Sequence, residues 1–198
     1  RIADQRDDFI KRNHYYYRLL FHYYRYFIPP QKRVLEIGCG TGELLNAVKP
    51  IKGTGIDVSQ RMISIAEKKF PHLTFMKGRI EEIQSDETFD YIVLSGTLGE
   101  TEDIQSLLES LKRFCTNDTR IIIEYYSCLW QFILKISERL KWKMPQMTQN
   151  WITLNDLKNF FRLTGYETVR TERKILFPKE LPVLSWLANT VLANLPVL

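Results

Sequence analysis

The chain has few of the residues that staple or metallate a fold. Its three cysteines, Cys39, Cys115 and Cys128, are scattered over 198 residues, and one falls inside a glycine turn. That argues against a disulfide framework or a zinc site and for a reducing, cytoplasmic setting. There is no run of eighteen apolar residues, which excludes an apolar transmembrane helix. No repeat, low-complexity stretch or linker interrupts the chain, so one domain over residues 1–198 is expected. No leader peptide is visible after Arg1, and without an initiator Met the question of targeting stays open. Charge of one sign is also scarce: 28 Lys and Arg against 23 Asp and Glu leave +5. That excess permits an anionic partner but does not call for nucleic acid, and none is expected. What remains is an ordinary globular composition, 44% apolar and 26% charged, long enough for a sizeable core.

Three of the nine glycines fall on alternate positions of one stretch, Val34 to Leu45. Val34 to Ile37 reads as a buried strand with Glu36 as its only polar residue. Gly38, Gly40 and Gly42 then turn the chain straight into an apolar helix start. A strand, a glycine turn and a helix is how α/β proteins hold a nucleotide, because glycine lets backbone N–H groups approach a ligand closely. In the dinucleotide fingerprint G-x-G-x-x-G the third glycine position is Glu43 here, which counts against a nicotinamide-dependent oxidoreductase. Gly53 to Asp57 reads as a second strand. Asp57 lies nineteen residues after Gly38, where a carboxylate at a strand tip meets ribose hydroxyls. Ser59 is a good N-cap for the next helix. Phe89 to Ser95 reads as a strand buried on both faces.

Four signals coincide in order and spacing: E-x-G-x-G-x-G at Glu36, D-x-S-x-x-M from Asp57 to Met62, the loop at Gly78, and Phe89-Asp90. Together they resemble the class I S-adenosylmethionine-dependent methyltransferases, of the type 11 and 12 kind. The resemblance implies an α/β, Rossmann-like fold, a mostly parallel sheet flanked by helices, with S-adenosyl-L-methionine as cofactor and no metal. It implies that the turn, including Cys39, cradles the amino-acid end and ribose, with Glu36 facing the cofactor ammonium. Val58 and Met62 would pack on the adenine, the Ile80 amide would meet its ring nitrogen, and the end of the fourth strand, Ser95 to Glu100, would lie beside the methyl. At Arg79 the chain departs from the family, which often has an Asp that accepts from the adenine amino group. A guanidinium has no acceptor. It can stack on the ring instead, with Glu81 as acceptor.

The rest of the chain supplies expectations about substrate. Asp4 to Phe27 reads as one aromatic helical segment, broken once and ended by Pro29-Pro30. Residues 1–30 either pack on the sheet edge or form a lid, with Tyr15 and Tyr16 as candidate substrate contacts together with Thr97. Residues 31–126 form the cofactor core, and 127–198 the substrate-side insertion and C-terminal part. A helix after Ser127, a substrate-covering loop from Lys141 to Trp151 and a capping-box helix from Thr153 closed at Gly165 are expected. A sixth strand follows from Tyr166 to Thr171. No candidate exists for the family's final antiparallel strand. The Leu-rich tail, helical from Leu184 to Leu195, packs on the core or touches a partner or membrane surface. Asn150-Trp151 and the tail carry a weaker resemblance to methyltransferase modules found beside glycosyltransferases. The acceptor is therefore expected to be a small molecule or a sugar or glycan group. Glu124, Glu100 and His14 are the candidate bases, Glu124 first because it ends a central strand. A non-catalytic, methyltransferase-like binding module is the rival reading.

Overall fold

The computed structural model describes residues 2–125 and 152–175 together with residue 189. Five strands make one sheet: β1 Arg33–Ile37, β2 Lys52–Asp57, β3 Thr74–Lys77, β4 Phe89–Ser95 and β5 Cys115–Glu124. Their order is β3-β2-β1-β4-β5, and every pairing is parallel. The chain winds outward from β1 to β3, then returns across the sheet to lay β4 on the other side of β1. This reversal opens a crevice at the carboxyl ends of β1 and β4, where ligands bind in open α/β sheets.

The helices are α1 Ile2–Arg12, α2 His14–Phe27, α3 Glu43–Ala47, α4 Gln60–Lys69, α5 Ile104–Leu111 and α6 Leu154–Leu163. The expected break in the N-terminal segment falls at Asn13, which stands between α1 and α2. Caps form where the side chains demand them. Ser59 caps α4 through the Met62 amide, and Asp103 caps α5 through the Ser106 amide. Thr153 and Asp156 complete a capping box on α6. Gly165 ends α6 at φ +75°.

Side-chain parity along the strands builds two cores. Leu35 and Ile37 of β1 and Ile92 and Leu94 of β4 point to the face covered by α5 and α6, with Leu107, Leu108, Leu111 and Leu157. Val34 and Val93 point to the other face, against Leu20 and Tyr24 of α2, Leu44 and Leu45 of α3, and Ile63 and Ala66 of α4. The same alternation carries Glu36, Ser95 and Glu124 to the α2 face.

One expectation is corrected. Residues 166–175 form no strand. Tyr166 instead donates its hydroxyl to the Leu108 carbonyl at 2.9 Å, while Arg170 and Lys174 lie over the Phe27 and Tyr23 rings of α2. Those anchors hold the segment to α5 at one end and to α2 at the other. The helix after Ser127, the Lys141–Trp151 loop, the Leu184–Leu195 helix and any final antiparallel strand lie outside the described residues. Among the described residues, no helix is long and apolar enough to cross a membrane.

Leu108 is fully buried where α5 meets the sheet and α6. Leu108→Ala is expected to cost about 2–5 kcal/mol of unfolding free energy, the range for an unrelieved leucine cavity, measured by urea denaturation.

Candidate functional site

The crevice is built on the turn after β1. The Gly38 and Cys39 amides both donate to the Ile56 carbonyl, at 2.8 and 3.0 Å, so the turn is folded back on β2. The Asp57 carboxylate closes it. One oxygen accepts from the Gly40 amide at 2.8 Å, and the other accepts from the Ser59 amide at 2.8 Å. Asp57 therefore ties the glycine turn to the start of α4, besides standing at the strand tip where ribose hydroxyls are expected. Gly40 and Gly42 both have positive φ, and a Cβ on either would come within 2.8 Å of a neighbouring side chain.

Glu36 lies behind this turn and is 4% exposed. Its Oε2 has no hydrogen-bond partner. Burial pushes its pKa up to about 8; the Arg6 guanidinium and the Leu45 amide oppose that shift, and Glu43 and Asp57 reinforce it. Burial likewise raises the Cys39 thiol, with Glu36 and Asp57 adding to it, so Cys39 is an inert wall. On the same face, Ser95 donates to Glu124 at 3.1 Å. The buried Tyr24 hydroxyl lies beside Ser95 without an aligned hydrogen bond, and burial, with Glu124 second, raises its pKa. Of the five buried side-chain atoms without a partner among the described residues, Arg6 Nε, Glu36 Oε2 and Tyr24 Oη gather here, so the unmet polar demand of the fold is concentrated at the crevice.

This inventory favours a cation. A buried carboxylate with a free oxygen can accept from an ammonium, whereas a pyrophosphate on the same turn has no donor to offer and would leave that oxygen unanswered. The residues therefore fit the amino end of an adenosylmethionine cofactor and disfavour a dinucleotide.

The adenine side is more open. Val58 is 65% exposed, Met62 half-buried and Ile80 buried. The Arg79 guanidinium lies between Glu81 at 3.8 Å and Glu102 at 3.7 Å. Thr97 donates its hydroxyl to the Ile37 carbonyl at 2.8 Å, strapping β4 to the end of β1.

The remaining candidates divide. The cavity at the turn is lined by Arg6 and Ile10 of α1 and by Tyr17, Leu20 and Phe21 of α2. Tyr15 and Tyr16 are not among its walls. Tyr15 faces Arg18, and Tyr16 packs edge-on against Tyr17. The break at Asn13 sets the phase of α2, and Tyr17 falls on the stripe of Leu20, Phe21 and Tyr24. His14 and Glu100 are exposed at element ends and line no part of this cavity. Arg6 was not legible beforehand, since an Arg in a charged helix carries no signal of its own. Among the described residues no cluster of His, Cys, Asp and Glu could hold a metal.

With both carboxylate oxygens engaged by turn amides, Asp57→Ala is expected to destabilise the cofactor-free protein by about 1–3 kcal/mol, from two orphaned amides. Urea unfolding without ligand measures this; unchanged stability would mean the turn holds itself.

Comparison with known proteins agrees with this geometry. The family profile described as a methyltransferase domain matches residues 9–171. A demethylmenaquinone methyltransferase of Chlorobaculum tepidum is 31% identical over 87 residues, 42% of this chain and 35% of that protein, so the chain spans about a third of this relative's length. A SAM-dependent methyltransferase of Thermotoga maritima, described as a possible histamine N-methyltransferase, superposes with a TM-score of 0.72 at 23% identity, covering 90% of this chain and 84% of that one. The magnesium protoporphyrin IX methyltransferase of Synechocystis, solved with bound S-adenosylhomocysteine, gives 0.63 at 19%, covering 82% and 79%. These last two speak for the fold. With the profile spanning most of the sequence, the chain belongs to the methyltransferase domain family, and S-adenosylmethionine is its cofactor.

Proposed function

We propose that this chain transfers a methyl group from S-adenosylmethionine to a small molecule with an apolar or aromatic body and an oxygen or nitrogen nucleophile. The observation that carries the cofactor half is the unpartnered, buried Glu36 oxygen behind the glycine turn. The acceptor half is supported by the crevice walls of Tyr17, Leu20 and Phe21 and by the relatives' names, demethylmenaquinone and malonyl-[acyl-carrier protein] methyltransferases. A sugar or glycan acceptor has less support, because the residues that suggested it lie outside the described ones.

In this reading the cofactor, when bound, supplies an electrophilic sulfonium methyl. The protein supplies alignment and water exclusion. Glu36 holds the cofactor ammonium and Asp57 its ribose hydroxyls, while Val58 and Met62 form the ledge for the adenine. Arg79 takes the place of the acidic residue there, and the backbone at Ile80 meets the ring edge. Tyr17 and Phe21 cover the acceptor. Glu124, held by Ser95 at the carboxyl end of β5 on the same face as Glu36, is the base assigned in this reading to take a proton from the acceptor.

The first test is calorimetric titration with S-adenosylmethionine and S-adenosylhomocysteine, with NADH as control. Binding of both adenosyl compounds and none of NADH is expected. A chain that binds neither but retains a protein or membrane partner would be the non-catalytic module instead.

The protonation of Glu36 gives a second test. It faces Arg6 on α1, Glu43 on α3 and Asp57 on β2, and its pKa of about 8 leaves it protonated at pH 7. Holding an ammonium requires the carboxylate. Cofactor binding at pH 7 is therefore expected to release a proton, seen as a binding enthalpy that varies with buffer ionisation enthalpy. Glu36→Gln should remove that variation and weaken binding about 10–100-fold, the size of a lost charged hydrogen bond. A buffer-independent enthalpy in the unmodified protein would argue against the role of Glu36.

A further inference from the structure

Arg6 is the least expected member of the crevice. It sits on α1, and its guanidinium packs directly on the glycine turn: a Cβ built on Gly40 would lie 2.8 Å from Arg6 Cζ and 2.9 Å from Nη2. Its Nε is buried and has no hydrogen-bond partner. Its charge acts on Glu36, on Cys39 and on the Tyr17 ring hydroxyl, so it stands inside the crevice and not at its rim. A free donor on a cation and a free acceptor on a buried acid thus share one cavity of about 40 Å³.

Neither orphan is an accident of packing. A buried guanidinium nitrogen and a buried carboxylate oxygen each cost stability unless something answers them. One ligand fragment answers both. An α-amino acid carries an ammonium, which suits Glu36, and a carboxylate, which suits the planar donor fork of an arginine. We propose that Arg6 binds the carboxylate of the cofactor's amino-acid end, opposite Glu36. This rests on the reading of Glu36 as the ammonium site. The remaining cavity is far smaller than the several hundred cubic ångströms a ligand of this size fills. Arg6 must therefore swing off Gly40 as the cofactor enters, and the carboxylate gives it a new partner at the same place. Discrimination then falls on the carboxylate: a nucleoside with an amine alone would have to displace Arg6 without repaying it.

The test compares three probes by calorimetry: S-adenosylhomocysteine, its decarboxylated analogue S-adenosyl-3-thiopropylamine, and 5′-methylthioadenosine, which lacks the amino-acid end. In the unmodified protein the carboxylate should be worth about 10–100-fold in affinity, the range for a charged hydrogen bond. In Arg6→Gln that preference should collapse. S-adenosylhomocysteine should weaken by the same factor, while the decarboxylated amine binds as well as before or better. Arg6→Lys should keep part of the preference, since it keeps the charge and loses the fork. Equal affinity of the unmodified protein for the first two probes overturns the proposal without any variant. So does an Arg6→Gln protein that loses both alike or neither. If 5′-methylthioadenosine binds and both amines bind no better, the Glu36 reading fails along with it.

Discussion

An acid that the fold refuses to solvate sets the terms for everything around it. Glu36 is the last residue but one of the central strand, where side chains on both faces are buried, and alternation fixes which face receives its carboxyl. Burial keeps the group neutral near pH 7 and leaves one oxygen unanswered. A protein designed only for stability would place an aliphatic residue there. Ionisation of the unfolded chain begins near pH 4.5 and that of the fold only near 8, so this residue subtracts stability increasingly as pH rises between those values. The rest of the crevice exists around that cost: α2 roofs it, the glycine turn walls it, and Asp57 pins the wall.

Parity does the remaining organisation. Because β1, β4 and β5 are parallel, Glu36, Ser95 and Glu124 project from one face: Ser95 and Glu124 lie side by side at their strand ends, and Glu36, level with Val93, sits two residues further in. Under the proposed function, cofactor and acceptor would meet on that one face. The opposite face of those strands carries Ile37, Leu94 and Ile123, packed into the apolar core under α5 and α6.

What could be read from the sequence was local. The glycine turn, the Asp57 tip, the Ser59 and Thr153 caps and the Phe89–Ser95 strand each depend on residues within a few positions of one another, and each is found where it was expected. What escaped depends on distant packing. Tyr17, not Tyr15 or Tyr16, lines the cavity because the phase of α2 is set by the break at Asn13. Residues 166–175 have strand-like composition, yet their fate was decided by the hydroxyl of Tyr166 and by two cations finding aromatic rings on α2. Arg6 was invisible because only the folded chain brings residue 6 against residue 40.

The attachment of α1 has a kinetic meaning. Its grip on α4 is electrostatic: Asp4 meets Arg61 at 2.7 Å and Asp7 meets Lys69 at 2.8 Å, all near solvent, while Ala3 is its one buried apolar side chain among the described residues. Exposed pairs of this kind contribute little each and weaken further in salt. The helix that carries Arg6 into the crevice is thus weakly attached to α4, and Asn13 gives it a joint. Local opening there costs far less than unfolding the sheet. A crevice covered by a helix held in this way would open more often as ionic strength rises.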